Sequence, residues 1–194
     1  MLSFNRRTFL ITGSSSLSAL ALPTLVMPSS KEANEALQTV KLLTEIDEGT
    51  YGMLWENLRG VSEAELDWQP LKEANSVRWI IGHLCWFEEW VPDAIEGKGR
   101  YLTDKGPSIV EERPYEKLKE RFEAARKRFL QVTGALKPED LQREISFFGR
   151  FNVAIGGLLQ THTTHLAGHR YQVRYVRGTY SRVHGTKKAD FDPW

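Results

Sequence analysis

From Lys31 onward, apolar residues return at intervals of three and four, the period of an amphipathic helix. Leu37, Val40, Leu43, Tyr51, Leu54 and Leu58 form one stripe with charges between them, and Arg59-Gly60 closes this first helix. Ser62-Glu63-Ala64-Glu65 has the form of a capping box and starts a short helical turn, which Asp67-Trp68-Gln69-Pro70 breaks. A second helix, capped by Asn75 or Ser76, places Val77, Ile80, Leu84, Phe87 and Val91 on one side, with Trp79, Trp86 and Trp90 adding bulk. A third opens with Pro114 as its first residue and carries Tyr115, Leu118, Phe122, Ala125, Phe129, Val132 and Leu136; the mixed charges from Lys117 to Arg128 read as its solvated face. A fourth runs from near Asn152 to Val176, with Gly156-Gly157 an early weak point and Gly178 the stop. The polar remainder, Thr179 to Trp194, is expected to be irregular.

No alternating run is long enough for a sheet, so four long helices in an all-α bundle are the economical reading. Lys137 to Leu141 follows the third helix much as Val61 to Leu66 follows the first, an echo too short to count as a repeat. The Gly-, Lys- and Pro-rich connection from Gly97 to Arg113 is longer than the about two to eight residues usual between bundle helices. It is a candidate lid.

Composition changes this picture only at the ends. The chain is 41% hydrophobic and 11% aromatic over 194 residues, enough for one core. Residues 1–30 hold no acid and only Arg6 and Arg7, and the rest carries 24 basic against 25 acidic residues, a balance that gives nucleic acid or a membrane surface no footing. Arg6-Arg7-Thr8-Phe9-Leu10 precedes an uncharged run from Ile11 to about Met27, the layout of an export signal, and the paired arginines resemble a twin-arginine signal. That route carries folded proteins, often with a metal in place, and predicts an extracytoplasmic, periplasmic location. Cleavage after Ala19-Leu20-Ala21, cleavage near Ser29 or Ser30, and retention as an anchor all remain open, as do an ordinary secretory signal and an unstructured N-terminus. The organisation expected is therefore a signal segment (1–30), a bundle (31–178) and a tail (179–194). The single cysteine, Cys85, rules out an intramolecular disulfide and reads as core filler on a Trp- and Leu-rich helix.

Chemistry concentrates in the fourth helix. His162, His165 and His169 fall within eight positions; His165 and His169 are one turn apart on one face and His162 lies one turn earlier. All three sit inside the apolar stripe of Ile155, Leu158, Leu159, Leu166, Val173 and Val176, so they point toward a core. Buried neutral imidazoles need partners for both ring nitrogens, which three neighbours would struggle to find without a metal or ordered water. His83 lies on an inward or boundary face of the second helix. Alone it reads as a satisfied core residue; beside the fourth helix it becomes a third imidazole from the opposing wall. Asp47, on or beside the first stripe, reads as a solvated edge residue or as an acid that completes a metal shell or accepts from a ligand histidine. Glu88 and Glu89 read as surface or second-sphere groups, and His184, in the tail, as exposed.

The run His165-Leu-Ala-Gly-His169-Arg170-Tyr171-Gln172, with Trp79-Ile-Ile-Gly-His83-Leu after the Asp67-Trp68-Gln69-Pro70 turn, resembles the DinB-like family over residues 33–178. The resemblance implies a four-helix bundle, here with a long connection between helices two and three, that holds a divalent metal, zinc or nickel, on one histidine of helix two and two of helix four. Carried over, these are His83, His165 and His169. Tyr171 departs from the family's glycine, and the extra His162 competes for pairing with His165. His162 and His169 lie ~10.5 Å apart along a helix axis and are not expected to share one ion.

Three imidazoles leave coordination positions open, the arrangement of a catalytic rather than a closed structural site. The family resemblance implies transfer or isomerisation with low-molecular-weight thiols, and also hydrolysis. The leading expectation is a metal-dependent hydrolase or thiol-dependent transferase acting on a small molecule. The others are a metal-binding or interaction module without turnover, and histidines that hold no metal. No general base is assigned, since Asp47, Glu88 and Glu89 are not convincingly placed. A second copy of the chain, as a homodimer, is admitted as a partner.

Overall fold

The computed structural model describes residues 30–98 and 109–186. The twin-arginine pattern, its apolar run and the cleavage positions before Ser30 lie outside the described residues, as does most of the Gly97–Arg113 connection. No helix among the described residues is long and apolar enough to cross a membrane.

The chain forms α1 (Ser30–Asn57), α2 (Glu63–Asp67), α3 (Val77–Ile95), α4 (Tyr115–Gly134), a 3-10 turn (Pro138–Gln142), strands β1 (Glu144–Phe147) and β2 (Phe151–Ala154), and α5 (Ile155–His184). This is an all-α bundle of four long helices. Ser62 Oγ accepts from the Glu65 amide and Ser76 Oγ from the Trp79 amide, so α2 and α3 start on serine caps that meet donors their first turns leave unpaired. Pro114 caps α4 rather than serving as its first residue.

Helix directions follow from which side chains meet. Asp47, Met53 and Asn57 of α1 meet His162, Arg170 and Arg177 of α5, so these helices run parallel. Arg121 and Arg128 of α4 reach Glu89 and Asp93 of α3, so this pair is parallel too. Tyr51 packs on Phe122 while Asp47 pairs with Arg126, which sets α1 antiparallel to α4. The order is up, down, down, up. Parallel neighbours cannot be joined by a tight turn, so the chain must travel back about 28 Å, the length of α3, before α4 begins. Topology alone therefore requires a long connection there. On its return, Val110 donates its amide to the Gly82 carbonyl at 3.0 Å. A Cβ on Gly82 would lie 2.4 Å from Val110 O and 2.8 Å from Ile109 Cγ1, so α3 admits this crossing only because residue 82 has no side chain.

Three features depart from the sequence pattern. A hairpin precedes α5, with Glu144 opposite Ala154 and Phe147 opposite Phe151. Its strands have four residues each, too few to show alternation, and its turn uses Phe148 and Gly149 at φ 54° and 69°. The last helix starts at Ile155 and continues past Gly178 to His184, because its final turns have partners. Arg177 is fully buried, with Nε 2.5 Å from Glu65 Oε1 and Nη1 on the Asn57 and Arg59 carbonyls, while Tyr180 and His184 pack edge-on to Trp68. On α4, the run expected to be solvated contains Arg126, which is only 4% exposed.

The apolar core has two parts. Leu54, Ile80, Ile81, Leu84, Leu118, Phe122, Leu166 and Val173 form one; Phe87, Val91, Ile95, Phe129, Leu141, Ile155, Leu158 and Leu159 form the other. On each long helix a buried polar residue lies where one part gives way to the other: Asp47, Glu88, Arg126 and His162.

Gly82→Ala should destabilise the fold by about 1–3 kcal/mol, the usual cost of overpacking. Gly49, on a helix surface with nothing within 4 Å of its Cβ direction, should instead gain up to about 1 kcal/mol on conversion to Ala. Urea unfolding of both variants measures this, and equal responses would contradict the close crossing at Gly82.

Candidate metal centre

His83 comes from α3, and His165 and His169 come one turn apart from α5, which runs antiparallel to it. Their Nε2 atoms converge: His165 Nε2 is 3.0 Å from His83 Nε2 and 3.1 Å from His169 Nε2. All three rings are half-buried. Zinc–nitrogen bonds of about 2.0–2.1 Å at tetrahedral angles separate ligand nitrogens by about 3.3 Å, close to this spacing. Burial, then the neighbouring imidazoles of His169, His83 and His162, pushes His165 down to about 3. Burial also holds His169 below its ordinary value, against the hydrogen bond to Gln172 Oε1, with His83 adding to the depression. Both rings are therefore neutral near pH 7, the form that ligates. The donor set, its protonation and its spacing fit a divalent ion.

The rings are supported unequally. Trp79 stacks on His83 at 5.0 Å and Trp86 at 5.8 Å, both nearly parallel to it, as expected for aromatic residues four before and three after it on a helix. His169 Nδ1 lies 2.8 Å from Gln172 Oε1. His165 Nδ1 is buried without a hydrogen-bond partner. Beyond Trp86 the stack continues to Phe148 at the hairpin tip, 5.6 Å away, and Phe148 also packs on Trp90 at 4.2 Å.

His162 and Asp47, read from sequence as an extra ligand or second-sphere pair, lie in a separate buried cluster. His162 Nδ1 is 3.0 Å from Asp47 Oδ1 and Nε2 is 3.3 Å from Glu88 Oε1. Arg126 Nη1 contacts Asp47 Oδ2 and lies 3.1 Å from Glu88 Oε1. Asp47, Glu88 and His162 are grouped closely enough to hold an ion, but the guanidinium already stands between the two carboxylates. With both ring nitrogens facing carboxylate oxygens, His162 is an imidazolium, since only that form donates from both. Burial pushes it down, but the Glu88 charge and the bonds to Asp47 and Glu88 prevail and hold it up to about 9. Asp47 is kept below its ordinary value although burial opposes this, through His162 and Arg126. Two negative and two positive groups thus balance inside the core.

Glu88 is therefore interior, not a surface group, and Glu89 is the surface member, paired with Arg121 at 2.6 Å. Burial pushes the Cys85 thiol up to about 12, which leaves it unreactive. His184 is exposed and stacks on Tyr180, apart from both clusters. The sequence reading missed Arg126 and the role of Gln172. Arg126 stands four residues after Phe122 and three before Phe129, on the apolar stripe, and Gln172 stands one turn after His169.

The family model described as the DinB superfamily matches residues 47–173, well over half the chain and all residues of both clusters. No curated protein matches the chain.

The His162 cluster predicts a pH dependence. Its folded-state value lies above the ordinary 6.5, so its stabilisation is complete below 6.5 and is lost as pH rises through about 9. The unfolding free energy should fall across that window by about 3 kcal/mol. Urea melts at graded pH measure the slope, which His162→Asn should abolish; a flat wild-type profile would contradict a charged His162. His165 acts in the opposite sense, its contribution being present above 6.5 and lost as pH falls toward about 3.

Proposed function

The chain belongs to the DinB superfamily, and on that premise we propose that it is a divalent-metal-dependent enzyme, a thiol-dependent transferase before a hydrolase, with His83, His165 and His169 as ligands. The observation that carries this is the convergence of three Nε2 atoms from two helices on one point, with His165 and His169 held neutral. Zinc or nickel there would supply a Lewis acid that lowers the pKa of a thiol or water and leaves positions free for substrate. His83 is kept from turning by two indoles, and His169 is fixed by Gln172.

The choice of thiol transfer rests on what the acids do. Among the described residues no carboxylate joins the three histidines. Asp47 and Glu88 are bound to Arg126 and His162, and Glu89 to Arg121. A bound metal ionises either a water or a thiol near neutral pH, but a hydrolase commonly adds a general base that orients the attacking water, whereas a thiolate is a strong nucleophile without one. The same lack of a base favours a second reading, a metal-binding module without turnover.

His83→Ala, His165→Ala and His169→Ala should each lose bound zinc or nickel, while His162→Ala keeps it at reduced stability. Loss in His162→Ala with retention in His169→Ala would overturn the ligand assignment. The cobalt-substituted protein should change its visible bands when a small thiol is added, and with pH between about 5 and 9, a span around the ~7 of zinc-bound water. A spectrum indifferent to both would leave the binding module as the function.

Arg6 and Arg7 further support delivery of the folded domain outside the cytoplasm. Replacing both with Lys should trap the protein inside; unchanged fractionation would remove the twin-arginine route.

A further inference from the structure

A neutral imidazole has one protonated nitrogen and one lone pair, so what its outer nitrogen meets decides what its inner nitrogen offers. For His169 that outer contact is Gln172. Its amide is turned so that Oε1, which can only accept, faces Nδ1 at 2.8 Å, the arrangement that matches a ring carrying its proton on Nδ1. The Nε2 lone pair is thereby turned inward, to a point 3.1 Å from His165 Nε2. With the opposite tautomer, His169 would aim an N–H at the centre and repel a cation. His165 has no comparable support, because its Nδ1 is buried without a hydrogen-bond partner. Two of the three ligand nitrogens belong to this helix, and a side chain fixes the orientation of one.

We infer that Gln172 is a positioning residue that selects the ligating tautomer of His169. This rests on the metal reading above for its consequence, though not for its geometry. Gln172 lies three residues beyond His169 on α5, the separation at which helix side chains meet, so the contact needs nothing from the rest of the fold. Its side chain is exposed, and replacing it leaves both parts of the core untouched. A group that acts on the metal without carrying stability is the expected signature. Outer partners of ligand histidines are typically worth about 10–100-fold in metal affinity.

The test compares Gln172→Leu, Gln172→Glu and, as a control for the same chemical change on an exposed face of α5, Gln160→Leu. Two readouts are taken: zinc affinity by chelator competition, and nitrogen NMR of 15N-histidine-labelled metal-free protein at about pH 8, above the ordinary imidazole value. Wild type should show His169 protonated at Nδ1. Gln172→Leu should populate the Nε2–H form and weaken zinc binding about 10–100-fold at unchanged unfolding midpoint. Gln172→Glu, which retains an acceptor, should keep the wild-type tautomer and bind zinc at least as tightly, and Gln160→Leu should match wild type in both. The inference is overturned if Gln172→Leu leaves tautomer and affinity unchanged, or if Gln172→Glu loses as much as Gln172→Leu. Should wild type take up no zinc, the metal reading fails by itself, and the NMR of the metal-free protein still decides whether Gln172 sets the tautomer.

Discussion

Arg126 is the residue on which the four long helices depend. It lies in the layer between the two apolar clusters, where its guanidinium bridges Asp47 of α1 and Glu88 of α3, and His162 of α5 closes the circuit on the same carboxylates. Burying four charged groups is costly, and the compensation works only if every partner is in place. Removing one leaves an uncompensated interior charge, a loss of about 3–5 kcal/mol. Apolar surfaces tolerate sliding; a salt bridge in the core does not. The Glu88–His162 contact in particular sets how far α3 and α5 are displaced along each other. His83 stands five residues before Glu88, and His165 three after His162, so the same displacement brings the three Nε2 atoms together. Phe87 lies between the two assemblies, stacked on His162 at 5.7 Å and 4.5 Å from the His165 ring centre.

The helices and the triad were legible because both rest on spacing. Apolar residues every three or four positions located α1, α3, α4 and most of α5, and histidines four apart had to share a face. What one stripe cannot encode is the identity of the neighbour across from it. Asp47 and His162 each stand out on their stripes, yet nothing along the chain says that residues 115 apart hold one another, or that Arg126 neutralises Asp47. A charge inside a run of charges looks solvated until its position against Phe122 and Phe129 is weighed. The hairpin stayed hidden for another reason. Its strands are short, and Gly149 is the one turn signal between them, since Phe148 occupies the left-handed position beside it where glycine or asparagine is usual. Packing on Trp90 and Trp86 offsets that strain.

The long connection from α3 to α4 has a topological reason for its length, because a parallel pair of helices needs a crossover. What its returning end does is local: Val110 donates its amide to the carbonyl one residue before His83, at the one position of α3 without a side chain to obstruct it. The tryptophans around His83 then complete a wall that reaches the hairpin, so the connections on both sides of α4 contribute to the surroundings of one histidine.

The parallel pairing of α1 with α5 bears on the order in which the molecule can be made. Adjacent helices in many bundles fold as local hairpins soon after synthesis, but here the first long helix waits for the last, and Asp47 meets its histidine only once more than a hundred further residues exist. Such distant pairings slow folding relative to other helical proteins, because a large loop must close before contacts reward it. Two of the three nitrogens of the centre also arrive on that final helix. Neither the closed interior nor the three-histidine cluster can form before α5 has been made, so an ion finds a finished site only once this last long helix has docked.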